Sequence, residues 1–289
     1  MFPEFGMSGP RLDYLENFVT QLARRRRPSA SLFGGIDHLF ILRALILRDL
    51  TTRHQKVGKV GFFVEFIMPT VVILLHYYVF LSLGRYMPAS IPVELYVLGG
   101  FPVWFTVRNT ASKVTKHGEG GTGVILLPGI SRVHFLLAGA IWECAAMTLL
   151  TYGGLLIVEL LGGDEPLPNV LESVPIFAIA ALIGTGARLV FEAIGSVWPL
   201  FKGIQKVLLF MTFLTSGIYY TGQPNAAEDI LTEISWYNPL IHLINSQRHA
   251  LWPGFPISQV NLMYSIAWGV ALMFIGLSMN RWLKPWTRK

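Results

Sequence analysis

One carboxylate stands alone near the middle of the longest apolar run of the sequence. The run Val133 to Leu161 reads VHFLLAGAIWECAAMTLLTYGGLLIVELL, with Glu143 near its middle between Trp142 and Cys144. A carboxylate in hydrocarbon is costly, so it must face protein or water and be protonated or paired. It allows two readings, structural pairing and a direct part in transport. Arg188 and Glu192 are one helical turn apart within Val174 to Trp198 and read as a mutually compensating pair. Catalysis or metal binding would need such groups in company. The sequence holds no G-x-x-x-x-G-K-[ST] loop, no H-E-x-x-H, no G-x-S-x-G elbow and no Cys or His cluster at ligand spacing. No catalytic residue and no metal site are therefore assigned. Gly118, Gly120 and Gly123 do satisfy G-x-G-x-x-G, but no strand precedes them, so they read as a turn. The single cysteine, Cys144, excludes an internal disulfide and a cysteine metal centre.

The elements that position these groups are lipid-facing helices. Of 289 residues, 53% are hydrophobic and 14% charged, and the mean hydropathy is +0.51, too apolar for an ordinary soluble domain. The stretch Gly34 to Phe80 joins two membrane objects. Its first half sets Phe40, Leu42, Leu45, Ile46 and Leu50 on one side of a helix, with Asp37, Arg43, Arg48, Asp49, Thr52 and Arg53 around the rest, a pattern that lies on a membrane. Val60 to Leu83 follows and is long enough to cross about 30 Å of hydrocarbon. Further spans are expected at Pro92 to Val107, Val133 to Leu161, Val174 to Trp198, Ile204 to Tyr220 and Val260 to Leu283. The second carries Gly99, Gly100 and Pro102, so an irregular, cavity-lining helix is expected there, with Arg108 snorkelling to the cytoplasmic side. Ala226 to Ile234 and Pro239 to Leu251 are each helical in pattern and too short to cross, which fits a pair dipping into the outer half of the bilayer.

The expected fold is thus an all-α integral membrane protein: six transmembrane helices preceded by an amphipathic interfacial helix, with a short re-entrant helix pair between spans five and six. The expected division is a cytoplasmic tail over 1–33, the interfacial helix over 34–57, the six-span domain over 58–285 and a cytoplasmic end over 286–289. Of the 23 Lys and Arg residues, all but Arg85 and Arg248 fall on one side of this scheme. The loops on the other side hold Glu94, Glu159, Asp164, Glu165, Glu172, Glu228, Asp229 and Glu233, which places both termini in the cytoplasm. The same segregation accounts for the net charge of +6 without nucleic acid. Arg24 to Arg27 is followed by Pro28 to Gly35 and not by an apolar stretch, so no cleavable signal peptide is expected. No internal repeat is evident, which argues against inverted-repeat carriers.

Aromatic residues gather near the span ends, among them Tyr77, Tyr78, Tyr86, Trp104, Phe105, Tyr219, Tyr220, Trp236 and Tyr237. They read either as interfacial belts or as ring faces along which sugars glide by stacking. Arg85 and Arg248, against the topological bias, read either as attractors of an anionic polymer or as partners of Glu94, Glu228, Asp229 or Glu233.

The run RALILRDLTTRHQ from Arg43, then Gly58, Gly61 and Pro69, resembles the ABC-2 type transporter permeases. SGIYY at Ser216 to Tyr220 and WYNPLIHLINSQRHALWPG at Trp236 to Gly254 resemble them too, most closely the inner-membrane permeases of capsular polysaccharide export. The resemblance covers about residues 34 to 285, and its most specific element is the helix pair before the last span. The chain departs from the pattern at His54, where the family commonly has tyrosine, and at Asn245, where it often has glutamate. The resemblance implies a homodimer in the bacterial inner membrane with two separate ABC ATPase subunits beneath it; ATP and Mg would sit on those partners and no cofactor on this chain. ATPase motion would enter through the interfacial helix, with Leu39, Arg43, Arg48, Asp49 and Arg53, and through the segment 113–123, with Lys113, Lys116, His117 and Glu119. The polymer would pass at the dimer interface between spans one, two and five. Candidates to line that channel are Tyr77, Tyr78, Arg85, Tyr86, Trp104, Phe105, Arg108, Tyr219, Tyr220, Trp236, Tyr237 and Arg248. The re-entrant pair, within 226–252, would gate the exit. A periplasmic adaptor, an outer-membrane exit channel and a lipid-linked acidic polysaccharide complete the implied system.

The expected function is therefore the transmembrane subunit of an ATP-driven exporter of lipid-linked capsular polysaccharide. The same machine could carry O-antigen, teichoic acid or a small lipophilic compound. A different class, a membrane-bound glycan-modifying enzyme, would need acid and base residues that the sequence does not bring together.

Overall fold

The computed structural model describes residues 38–48, 61–82, 90–112, 132–162, 170–220, 230–257 and 260–283. Every regular element among them is helical. These are α1 over 38–48, α2 Gly61–Ser82, α3 Val93–Ser112, α4 Arg132–Leu160, α5 Val170–Val197, α6 Phe201–Leu214, α7 Ile230–Ser235, α8 Pro239–Leu251 and α9 Leu262–Leu283. Two compact units contain them, Met1–Thr52 with Val114–Ala138, and Arg53–Lys113 with Gly139–Lys289. The first holds α1 and the opening turns of α4; the remaining helices belong to the second.

Helices α2 to α6 and α9 stand where the sequence places its six apolar stretches. Three are long and apolar enough to cross a membrane, Val133–Leu160, Leu171–Val197 and Leu262–Leu283, and Phe66–Ser82 and Gly203–Leu214 are shorter apolar helices. The chain is a multi-pass membrane protein, all-helical in its regular elements among the described residues. Its spans differ in what surrounds them. The apolar window is 56% buried in Leu171–Val197 but 17% buried in Leu262–Leu283, so α9 turns most of its surface away from the chain.

The centre of the second unit is α3, and here the structure corrects an expectation. The segment with Gly99, Gly100 and Pro102 is a continuous helix, not an irregular one, and all three residues are buried. Its neighbours are α5, α8 and α2. Packing on several sides holds a helix together across a proline that alone would weaken it. The glycines serve close approach and do not line a cavity: a Cβ on Gly99 would lie 2.8 Å from Arg248 Cγ.

Small residues also set the α5 contacts. A Cβ on Gly184 would fall 1.9 Å from Thr110 Oγ1 of α3. Between α5 and α9, a Cβ on Gly186 would lie 2.8 Å from Leu272 Cβ, and one on Gly276 would lie 2.5 Å from Leu189 Cβ. Where lipid tails are as apolar as the side chains, helices associate through such close packing, because burying apolar surface gains little. Asn280 Nδ2 adds a polar tie, donating to the Leu189 carbonyl at 2.8 Å.

Helix α8 keeps the bounds that the sequence suggests, for a local reason. Asn238 is the N-cap, its side chain accepts from the Leu240 amide at 3.0 Å, and Pro239 occupies the first turn. The other end of the Asn238 amide donates to the Thr212 carbonyl at 3.0 Å and to Thr215 Oγ1 at 2.9 Å, joining the start of α8 to the end of α6. Of the preceding short helix only Ile230–Ser235 is described; 226–229 lie outside the described residues.

Candidate functional site

The intramembrane carboxylate is paired. Glu143 is fully buried and accepts from Asn109 Nδ2 at 2.6 Å, a bond from α3 to α4. Arg188 and Glu192 form the ion pair that their spacing implies, Nε to Oε1 at 2.9 Å. A neutral acceptor can still serve Asn109, so Glu143→Gln is expected to change stability by less than about 1 kcal/mol. Glu143→Leu strands the amide and is expected to cost about 1–3 kcal/mol. Melting of the two variants in detergent checks this, and equal losses would dismiss the pairing.

The aromatic candidates divide by exposure. Tyr78 and Tyr237 are exposed, 63% and 73%, and Arg108 is exposed with its guanidinium 5.2 Å from the Trp104 ring centroid. Trp104 is half-buried and packs on Phe213 of α6 at 4.5 Å between centroids. Tyr77, Tyr219, Tyr220 and Trp236 are also half-buried. Phe105 is 2% exposed and belongs to the core, so it is removed from the residues that could line a channel. Arg85, Tyr86, Asp49, Arg53, Lys113, Lys116, His117 and Glu119 lie outside the described residues. On α1, Leu39 and Arg43 are exposed and Arg48 is half-buried. Within the same unit His38 Nδ1 lies 2.8 Å from His134 Nε2, with the two rings stacked.

A histidine of α2 ties that helix to the turn after α6. His76 Nδ1–H donates to the Val72 carbonyl at 2.7 Å, and Nε2 lies within hydrogen-bond reach of the Tyr219 hydroxyl at 2.9 Å. Phe101 covers the imidazole at 4.4 Å between centroids. A second internal chain runs from Gln247 Nε2 to Ser173 Oγ at 2.8 Å, with the Tyr152 hydroxyl 2.9 Å from the same oxygen.

Arg248 corrects the largest of the expectations. It is fully buried, and its partners are neither a polymer-facing surface nor any of the proposed carboxylates. Nη1 donates to the Gly217 carbonyl at 2.8 Å and Nη2 to the Ile218 carbonyl at 2.9 Å. Longer contacts, each 3.4 Å, run from Nε to the Tyr96 carbonyl and from Nη1 to Asn245 Oδ1. The guanidinium also lies over the Tyr96 ring, 3.6 Å from its centroid. The turn that presents the first two carbonyls requires Gly217, whose φ of +81° side chains rarely adopt. The site therefore joins three elements, α3, α8 and the turn after α6, through one cation.

No protein-family model matches the chain. Two curated proteins, both named polysialic acid transport protein KpsM and both of Escherichia coli, are similar to it. One is 23% identical over 241 residues and the other 24% over 243, each alignment covering 83% of this chain and 92% of the relative.

Proposed function

We propose that this chain, a relative of the polysaccharide-transport permeases, is the membrane-embedded subunit of an ATP-driven exporter of lipid-linked, acidic capsular polysaccharide. The observation that carries the reading is the similarity to the two polysialic acid transport proteins over nearly their whole length, on an apolar, all-helical chain. In this reading α2 to α6 and α9, the shorter ones included, all cross the bacterial inner membrane and both termini face the cytoplasm. Two copies pair, two ABC ATPase subunits dock beneath them with ATP and Mg, and an adaptor and an outer-membrane channel take the polymer onward. The exposed Tyr78 and the pair of half-buried Trp104 with exposed Arg108 suit a path for sugar rings, because ring faces stack without holding a polymer tightly.

The test is purification of the chain from its native membranes followed by uptake into inverted vesicles. The expected result is that a P-loop ATPase accompanies the chain and that glycan uptake needs ATP. Inactivating that ATPase is expected to reduce uptake to the level of empty vesicles, and glycan movement that persists without it refutes the reading. Mass spectrometry of co-purified glycan separates a capsule polymer from O-antigen, teichoic acid or a small lipophile.

A further inference from the structure

We infer that Arg248 is a latch, a positioning residue that holds α8 shut against α3 and against the turn after α6, and that releases during each transport cycle. Its functional meaning rests on the exporter reading, while its geometry stands without it.

The argument starts from the charge. A fully buried guanidinium loses its hydration, and carbonyl dipoles with the Tyr96 and, farther off, Phe255 rings offset that loss only in part. A well-packed apolar side chain would join the same three elements at no such cost, so a cation here suits an arrangement that is held and then released. The contacts are also linked. The Gly217, Ile218 and Tyr96 carbonyls are bound by one planar group, and moving that group away from one weakens its hold on all. That is the behaviour of a discrete two-position device. The fit is also specific to glycine on α3, because a Cβ on Gly100 would lie 3.2 Å from Arg248 Nη2 and one on Gly99 2.8 Å from its Cγ. Finally, the beginning of α8 is held by Asn238 through bonds that do not involve Arg248. Release therefore leaves α8 attached at its first turn and detaches its last turns from α3 and from the turn after α6, with the Gln247–Ser173 bond to α5 as a remaining polar tie there.

The test uses Ile218, whose carbonyl the latch holds and which is 1% exposed. In a Cys144→Ala background, Ile218→Cys is labelled with N-ethylmaleimide and followed by mass spectrometry. In the complex with its ATPase, labelling is expected to rise at least about tenfold during ATP turnover, the factor that loss of one charged hydrogen bond supplies. In the purified chain, Arg248→Met is expected to label about tenfold faster than the parent without ATP, and Arg248→Lys to fall between them. Labelling in the parent complex that ignores turnover overturns the latch, and that comparison needs no substitution at Arg248. Equal protection of the purified parent and Arg248→Met chains overturns it as well. A failed exporter reading shows itself differently, as absent ATPase and absent glycan uptake, while the comparison in the purified chain still decides the latch.

Discussion

Gly184→Val is expected to prevent the helix core from assembling. Even the first added carbon would fall 1.9 Å from Thr110 Oγ1 and 2.5 Å from the Val107 carbonyl oxygen. The Thr110 hydroxyl cannot yield freely, since it already donates to the Thr106 carbonyl at 2.6 Å and contacts the Val107 carbonyl at 3.1 Å. Truncating it still leaves the Val107 carbonyl, which is backbone of a helix packed on several sides. Helices α3 and α5 must therefore separate, and the expected loss is at least about 3 kcal/mol, the upper part of the overpacking range. Size-exclusion profiles and melting in detergent measure it. Gly184→Ala combined with Thr110→Ala is expected to recover only part of the loss. Full recovery would mean that α3 and α5 can move apart at little cost, contrary to the packing described.

Gly99→Val should be nearly as damaging, and it should damage a particular contact. Its Cβ would lie 2.8 Å from Arg248 Cγ and 3.3 Å from Arg248 Cα, so side-chain rotation does not relieve the clash. At the adjacent position the nearest atom is Nη2, the far end of the same side chain, at 3.2 Å. Gly100→Ala is thus expected to cost about 1 kcal/mol and Gly99→Val about 3 kcal/mol. In the Ile218→Cys background, Gly99→Val should also label as readily as Arg248→Met. A Gly99→Val chain that melts with the parent would show that α3 and α8 do not touch as described.

Much of the architecture was legible because it is local. The apolar runs mark the long helices, and Asn238-Pro239 announces the start of α8 through a cap that needs only neighbouring residues. The Arg188–Glu192 pair follows from helical spacing alone. The partner of Glu143 was not legible, because Asn109 comes from another helix and nothing in either segment points to it. Exposure was equally hidden: Phe105 and Tyr78 are both aromatics near span ends, yet one lies in the core and the other faces outward. Arg248 was singled out for the right reason, a cation where the topology disfavours one, but its partners are backbone carbonyls, which carry no residue-type signal. The signal present was the Gly99-Gly100 pair together with Gly217, small residues that make room for something large. The expectation of an irregular, cavity-lining second span read those glycines as a break in the helix when they are a seat for a side chain.

The amide of Asn238 and the guanidinium of Arg248 grip α8 at opposite ends, and both reach residues 212–218. With 13 residues the helix is roughly 20 Å long at 1.5 Å per residue. Pivoted at its cap, it is a lever arm: a tilt of about 10° would carry its free end roughly 3 Å, on the order of the diameter of a water molecule, by the same helical rise. Arg248 lies ten residues from Asn238, roughly 15 Å along the axis at 1.5 Å per residue. The same tilt therefore carries the guanidinium fork by more than about 2 Å and parts it from its carbonyls at the moment the end of the helix opens to solvent.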